Sequence, residues 1–131
     1  MQLSKFTDYA FRSLIYLAKN SAENATIDKL AEDLEISTHH LKKVINKLAK
    51  TDYIISTKGR NGGLKLGLEP EEINLGKVLL ITEENLNLVE CMNEPQKCPL
   101  IKEECKLKAI ISKSLFSFVN EMSQYTLKDI I

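Results

Sequence analysis

The sequence lacks the features that mark membrane-spanning, secreted and disulfide-bonded proteins. No stretch of its 131 residues approaches the roughly eighteen apolar residues that a membrane helix requires. The N-terminal stretch MQLSKFTDYAFRSL carries Lys, Asp and Arg and has no apolar run like that of a signal peptide. Its three cysteines are odd in number, which argues against a closed disulfide framework. We therefore expect a cytoplasmic protein with reduced thiols and no membrane partner.

The chain also lacks a fourth cysteine, a paired nucleophile and base, and a nucleotide-binding glycine loop. Ferredoxin-type clusters bind four thiolates, one more than this chain offers. A small electron carrier and an enzyme are therefore disfavoured, and we predict that the protein is not an enzyme. The sequence contains no internal repeat and no low-complexity tract, so we expect one domain, or a small domain with an appended helical arm.

The formal net charge of zero hides a strongly basic block. Residues 37–68 hold seven Lys or Arg and one acid, whereas residues 69–105 hold nine acids and three Lys. A charge run is often only a solvated face. A local basic block is also the electrostatic footprint of a nucleic-acid-binding surface.

The pattern of elements favours the second interpretation. Apolar spacing predicts helices over 4–19, 26–34 and 38–50, with Thr26 and Ser37 as N-caps of the last two. Strands are predicted over 53–57 and 64–68, joined by the glycine-rich turn KGRNGG. This order predicts a mainly α fold with a small β-hairpin wing, a winged helix-turn-helix.

Pro70 is predicted to end that unit, so that residues 1–70 form the DNA-binding unit and 71–131 a second region. Asn74 is a plausible N-cap for a short helix over 75–84. A long helix is predicted from about Lys102 to Tyr125, with a wide apolar stripe. The stripe fits a core helix packed on the first helix, or a dimerisation helix. We favour the homodimer, because DNA-binding proteins of this kind commonly bind paired half-sites.

The predicted DNA contacts lie on the third helix and at the wing tip. The first turn of a recognition helix enters the major groove, and lysines further along it meet phosphates. Arg60 at the wing tip is suited to a narrow minor groove. Adjacent histidines on a helix point apart, so a metal site at the two histidines is a weak alternative. The predicted DNA-binding residues are Ser37, Thr38, His39, His40, Lys42, Lys43, Lys47, Lys58, Arg60, Asn61, Gly62 and Gly63.

The three cysteines, Cys91, Cys98 and Cys105, fall within CMNEPQKCPLIKEEC with six residues between each pair. Structural zinc sites usually place cysteine pairs two to four residues apart, so zinc is possible but not favoured. The wider spacing suits an iron–sulfur cluster, and unremarkable thiols remain a third possibility. A cluster would need its missing ligand from another residue type, from solvent or from a second chain.

Five segments together resemble a known family. They are FTDYAFRSLIYLA, STHHLKKVINKLAK, KGRNGGLKLG, the three-cysteine loop and QYTLKDII. The chain resembles the NsrR-type nitric-oxide-sensing repressors, a winged helix-turn-helix family that also includes the IscR-type iron–sulfur regulators. The resemblance implies a homodimer that binds double-stranded operator DNA, with one cluster per subunit, [4Fe–4S] in preference to [2Fe–2S]. It also implies that nitric oxide destroys the cluster and thereby derepresses nitrosative-stress genes.

The resemblance also implies the fourth cluster ligand. In NsrR-type members it is an acidic residue of the first helix of the partner subunit, and Asp8 in FTDY matches that position. Helical geometry independently points Asp8 away from the apolar face of its helix. IscR-type members use a histidine, but no histidine of this chain lies near the cysteines. An IscR-like regulator of cluster supply, or a redox or iron sensor on the same scaffold, is the alternative function.

Overall fold

The computed structural model describes residues 1–100 and 104–131. It confirms the predicted class, mainly helical with a small two-stranded antiparallel sheet. The helices and strands are α1 Lys5–Lys19, α2 Ile27–Leu34, α3 Thr38–Ala49, β1 Ile54–Thr57, β2 Gly63–Leu66, α4 Leu75–Thr82, α5 Glu90–Asn93 and α6 Lys106–Met122. Short 3₁₀ turns occupy Pro70–Glu72, Pro95–Lys97 and Leu127–Ile130.

Side-chain caps fix where the helices begin. Thr26, Ser37 and Asn74 each accept a hydrogen bond from the backbone N–H three residues ahead, at 3.1, 3.2 and 3.1 Å. These bonds satisfy N–H groups that have no partner within the helix. All three predicted caps are therefore confirmed.

The core lies between α1, α2, α3 and the hairpin, where Leu14, Leu30 and Leu41 are fully buried. It also includes residues from beyond Pro70, because Ile73 and Leu127 are fully buried as well. The Leu127 N–H donates to the Ile73 carbonyl at 2.8 Å, which brings the C-terminal segment back onto the core. The predicted division of the chain near residue 70 stays a prediction.

Two predicted helices end two or three residues earlier than expected. α4 ends at Thr82 rather than at residue 84, because the backbone of Glu83 is extended. α6 ends at Met122 rather than at Tyr125. The chain leaves the helix there, and the Tyr125 carbonyl accepts a hydrogen bond from the Leu75 N–H on α4 at 3.0 Å.

The start of α6 also differs. Cys105 has an extended backbone and acts as the N-cap, so α6 begins at Lys106. The predicted start at Lys102 lies outside the described residues. The strands are shifted slightly, with β1 starting one residue later than predicted and β2 ending at Leu66. The helical turns inside the cysteine segment, α5 and Pro95–Lys97, were not predicted.

α6 packs along α4 but buries none of its residues within the single chain. Its side chains Leu107, Ile110 and Phe116 are 64%, 63% and 72% exposed. A helix buried in the core of its own subunit does not show this pattern. Among the described helices, none combines the length and the apolar character that a bilayer span needs.

Candidate DNA-binding surface and cysteine cavity

The outer face of α3 is cationic and open. Leu41, Val44, Ile45 and Leu48 point into the core. This orientation leaves Ser37, His39, His40, Lys42, Lys43 and Lys47 exposed and Thr38 half-buried. The first turn of α3 contains no acidic residue. The predicted contacts of the recognition helix therefore share one accessible face.

The hairpin places the second group of predicted contacts at its tip. β1 and β2 pair antiparallel from Ile54 opposite Leu66 to Thr57 opposite Gly63. Lys58, Arg60 and Asn61 are exposed between them, and Gly62 and Gly63 are half-buried.

The tight turn at this tip requires glycine. Gly59 has a φ of 102°, which residues with side chains rarely adopt, and a Cβ at Gly62 would clash with the Thr57 carbonyl oxygen. Asn24 Nδ2 donates to the Asn61 carbonyl at 3.1 Å, which joins the tip to the segment before α2.

The cations of these two surfaces are available for a ligand. In the part of the chain that the structure describes, none of them is in an ion pair. Phosphate oxygens are therefore not competing with an internal carboxylate for these side chains. The cations are Lys42, Lys43, Lys47, Lys58 and Arg60.

The three cysteines line one cavity of about 400 Å³. Each is a free, half-buried thiol. Cys105 caps α6, and its Sγ accepts a hydrogen bond from the Lys108 N–H at 3.3 Å. The remaining lining residues are Pro95, Glu104, Lys108, Ala109 and Ser112.

This donor set fits a cluster better than a single ion. Within residues 1–100 and 104–131, no three His, Cys, Asp or Glu side chains are close enough to hold one metal ion. A tetrahedral zinc site requires such convergence. Cys91, Cys98 and Cys105 line one cavity, so together they would supply three thiolates to an iron–sulfur cluster held there. A backbone N–H bonded to a cysteine sulfur is also a common way in which proteins tune iron–sulfur clusters.

Asp8 lies on the outer side of α1 and outside the lining of this cavity. Its carboxylate, 46% exposed, is bound at both oxygens by Arg12, with Nη2–Oδ2 and Nε–Oδ1 distances of 2.8 and 3.1 Å. Its predicted orientation away from the core is confirmed. Its predicted role as a ligand to the partner's cluster stays a prediction.

A chain of contacts leads from Asp8 to the recognition helix. The Arg12 guanidinium carbon lies 6.0 Å from the centroid of the Tyr9 ring. The Tyr9 ring in turn lies 6.0 Å from the His40 ring, at an interplanar angle of 57°. Arg12 and Tyr9 were not predicted as site residues. The i, i+4 spacing of Asp8 and Arg12 was a usable signal, but no local pattern indicated the contact with His40.

Glu83 joins the end of α4 to the start of α1. Its Oε2 accepts hydrogen bonds from the Ser4 N–H, the Ser4 hydroxyl and the Thr7 hydroxyl, at 3.0, 3.0 and 2.6 Å. Burial alone raises the pKa of the Glu83 carboxyl, but the bonds from Thr7 and Ser4 together outweigh it and lower the pKa below its ordinary value of 4.5. This contact was also missed, because its partners are 76 and 79 positions apart in the chain.

The recognition helix, the cationic wing and the open surface that they form define a DNA-binding transcriptional regulator of the winged-helix class. Residues 3–131 match the Rrf2 family, described as iron-dependent transcriptional regulators. The chain belongs to this family.

Relatives within the family are similar over the whole chain. The HTH-type transcriptional regulator NsrR of Bacillus licheniformis is 45% identical over 100% of this chain and 92% of its own length. NsrR of Shouchella clausii is 41% identical over 100% and 89%. The resemblance to NsrR-type regulators is thereby confirmed, and so is the prediction that the protein is not an enzyme.

Solved structures show the same fold at low sequence identity. The cysteine regulator CymR of B. subtilis superposes with a TM-score of 0.75 at 23% identity, covering 99% of this chain and 95% of that one. T. potens IscR superposes with a TM-score of 0.79 at 21% identity, covering 99% and 85%.

Proposed function

We propose that this regulator is a repressor whose operator affinity depends on a bound iron–sulfur cluster, preferably [4Fe–4S]. Nitric oxide destroys the cluster, which releases the operator and derepresses nitrosative-stress genes in the cytoplasm. The observation that carries the proposal is that Cys91, Cys98 and Cys105 line one cavity in a chain 45% identical to a regulator named NsrR.

The proposed cluster ligands are the three cysteines of one chain and Asp8 of the partner subunit. When bound, the cluster supplies iron that reacts with nitric oxide. The chain supplies the thiolates, and the Lys108 N–H adds a hydrogen bond to Cys105. An oxygen ligand is easier to displace from iron than a fourth thiolate, which suits a sensor.

The proposed DNA contacts divide into two groups. Thr38, His39 and Lys42 lie at the start of α3, where base edges in the major groove come within reach. Lys43 and Lys47 lie further along the exposed face and are suited to phosphates, which position the protein without reading sequence. The wing tip contacts the neighbouring groove, and Ser37, His40 and the wing residues Lys58, Arg60, Asn61, Gly62 and Gly63 complete the surface.

The proposed assembly is a homodimer formed through α6. The helix leaves its apolar side chains exposed in the single chain, and burying them against a second copy removes this apolar area from water. An apolar cavity of about 450 Å³ adjoins this face and is lined by Leu3, Leu86, Leu115 and Phe118, among others. A two-fold dimer also matches the paired half-sites that such regulators bind.

The proposed signal passes along α1. If Asp8 binds the partner's cluster, its ion pair with Arg12 is weakened, and Arg12 and the Tyr9 ring lead from there to His40 at the start of α3. Cluster loss would let Asp8 and Arg12 pair fully again, which would change the contacts that Tyr9 makes with the recognition helix. Because binding linkage is reciprocal, the cluster and the operator each increase the affinity of the protein for the other.

The test is anaerobic purification followed by titration with nitric oxide, with the absorbance of the cluster and operator binding measured on the same sample. We expect a coloured protein with iron and sulfide, and loss of operator binding in step with loss of the cluster absorbance. Cys98→Ser is the matched variant, and it should lack both the colour and the response.

A colourless protein, or operator binding that ignores nitric oxide, contradicts the proposal. Release by an oxidant or an iron chelator in the absence of any nitric oxide effect would instead identify a redox or iron sensor on the same scaffold.

A further inference from the structure

We propose that Glu104 is an alternative oxygen ligand for the cluster. It would take the place of Asp8 of the partner subunit and would belong to the same chain as the three cysteines. This inference rests on the proposed function, because it assumes that a cluster occupies the cysteine cavity. It adds a ligand that lies in the same subunit as the three thiolates.

The position of Glu104 carries the inference. Glu104 lines the same cavity of about 400 Å³ as Cys91, Cys98 and Cys105. It immediately precedes Cys105, whose extended backbone and capping role fix the start of α6. A carboxylate is a recognised oxygen ligand for iron, and this one is exposed to solvent, so it can turn toward the cavity without breaking the packing.

The other described acids of the cysteine segment are placed differently. Glu90 and Glu94 both contact the Lys97 ammonium, with N–O distances of 3.5 and 2.8 Å. Neither lines the cavity. Of the carboxylates that the structure describes in this segment, Glu104 alone shares the cavity with the three cysteines.

Asp8 is engaged elsewhere in the single chain. Both of its oxygens are held by Arg12, at 2.8 and 3.1 Å. Binding to a partner's iron therefore competes with a bidentate ion pair, whereas the Glu104 carboxylate is in no ion pair in the described part of the chain. The exchange replaces one carboxylate–iron bond with another, so the total charge and the iron oxidation state are unchanged.

Two modes of cluster binding follow. With Asp8 as the ligand, the cluster connects the two subunits. With Glu104 as the ligand, one chain holds the cluster alone, and the connection to Arg12, Tyr9 and His40 of the partner is lost. A subunit can then keep its cluster while its operator affinity falls.

The experiment compares Asp8→Ala, Glu104→Gln and the double variant, all purified anaerobically as full-length chains. Glu90→Gln in the Asp8→Ala background is the matched control, because Glu90 also directly precedes a cysteine but does not line the cavity. The measurements are iron and sulfide per chain, the half-life of the cluster absorbance with a chelator, and operator affinity.

We expect Asp8→Ala to retain its cluster but to bind the operator weakly. Adding Glu104→Gln should shorten the cluster half-life by about tenfold or more, since even the outer-shell partners of a metal site typically contribute about 10–100-fold to metal affinity or activity. Adding Glu90→Gln should leave the half-life of the Asp8→Ala cluster unchanged.

The role of Glu104 would be overturned if the cluster has the same half-life in Asp8→Ala and in the double variant that also carries Glu104→Gln. Complete cluster loss in Asp8→Ala alone would also overturn it, because no substitute ligand would then exist. In both cases a cluster in the wild-type protein leaves the proposed function standing. A wild-type protein without a cluster refutes the proposed function and this inference together.

Discussion

The Glu83 carboxylate holds the start of α1 against the end of α4, and replacing it tests this part of the fold directly. One oxygen accepts three hydrogen bonds, the shortest from the hydroxyl of Thr7, a fully buried residue. A hydrogen bond to a charged group contributes about 1.5–3 kcal/mol. Because Glu83 is only partly buried, solvent screening reduces that figure.

We expect Glu83→Ala to lower the free energy of unfolding by about 2 kcal/mol, since the Thr7 hydroxyl loses its acceptor in a buried position. Glu83→Gln keeps a neutral oxygen in the same place and should cost about 1 kcal/mol. The assay is urea denaturation of the full-length, cluster-free chain at pH 7. Glu84→Gln changes the adjacent, exposed carboxylate and is expected to have little effect.

The pH dependence gives a second measurement. The pKa of Glu83 is lower in the folded protein than its ordinary value of 4.5, so the charged carboxylate stabilises the fold above that pH. This contribution is lost as the pH falls through the folded-state pKa. The difference in stability between wild type and Glu83→Gln should therefore shrink below about pH 4.5. A difference that stays constant from pH 7 to pH 3.5 would refute the reasoning.

Three further outcomes are expected. Lys47→Gln should reduce the slope of log affinity against log salt for operator binding by about one, whereas Lys77→Gln on α4 should leave the slope unchanged. An unchanged slope for Lys47→Gln would show that Lys47 does not contact a DNA phosphate. Gly76→Ala should destabilise the protein by about 1–3 kcal/mol, because the new Cβ would clash with the Ser123 Oγ and lie 2.8 Å from the Ser123 Cβ. Ser123→Gly removes both of those atoms and should restore part of the loss in a denaturation assay. Tyr9→Leu should retain its cluster but reduce the factor by which the cluster increases operator affinity. That factor is about 5–150-fold for a typical allosteric coupling. Tyr16→Leu, on the same helix, should leave the factor unchanged.

The features that local patterns encode were predictable from the sequence. Ser37 and Thr26 are good N-caps because their side chains reach N–H groups three residues ahead, and the structure shows those bonds. The cationic outer face of α3 followed from the apolar spacing of Leu41, Val44 and Leu48 alone. The glycine-rich turn between two short strands likewise indicated the wing.

The features that depend on tertiary packing were not predictable in this way. The contact between Glu83 and Thr7 joins positions 76 residues apart. The ring contact between Tyr9 and His40 brings together two helices whose relative placement no local spacing encodes. The start of α6 was misjudged because a cysteine as N-cap is not a usual start signal, and only the backbone of Cys105 shows it. Glu104 was not predicted as a site residue, because only the folded chain brings it to one cavity with Cys91 and Cys98 as well as with its neighbour Cys105.

In the described chain, no residue between Thr82 and Leu127 is buried, although the three cysteines lie in this stretch. The segment that carries the cysteines therefore contributes little to the buried core of the single chain. If it holds the proposed cluster, we expect that destroying the cluster removes the signal without unfolding the core. Rebuilding the cluster on the same chain would then restore the signal without new synthesis, so that recovery after an exposure would depend on cluster supply rather than on folding.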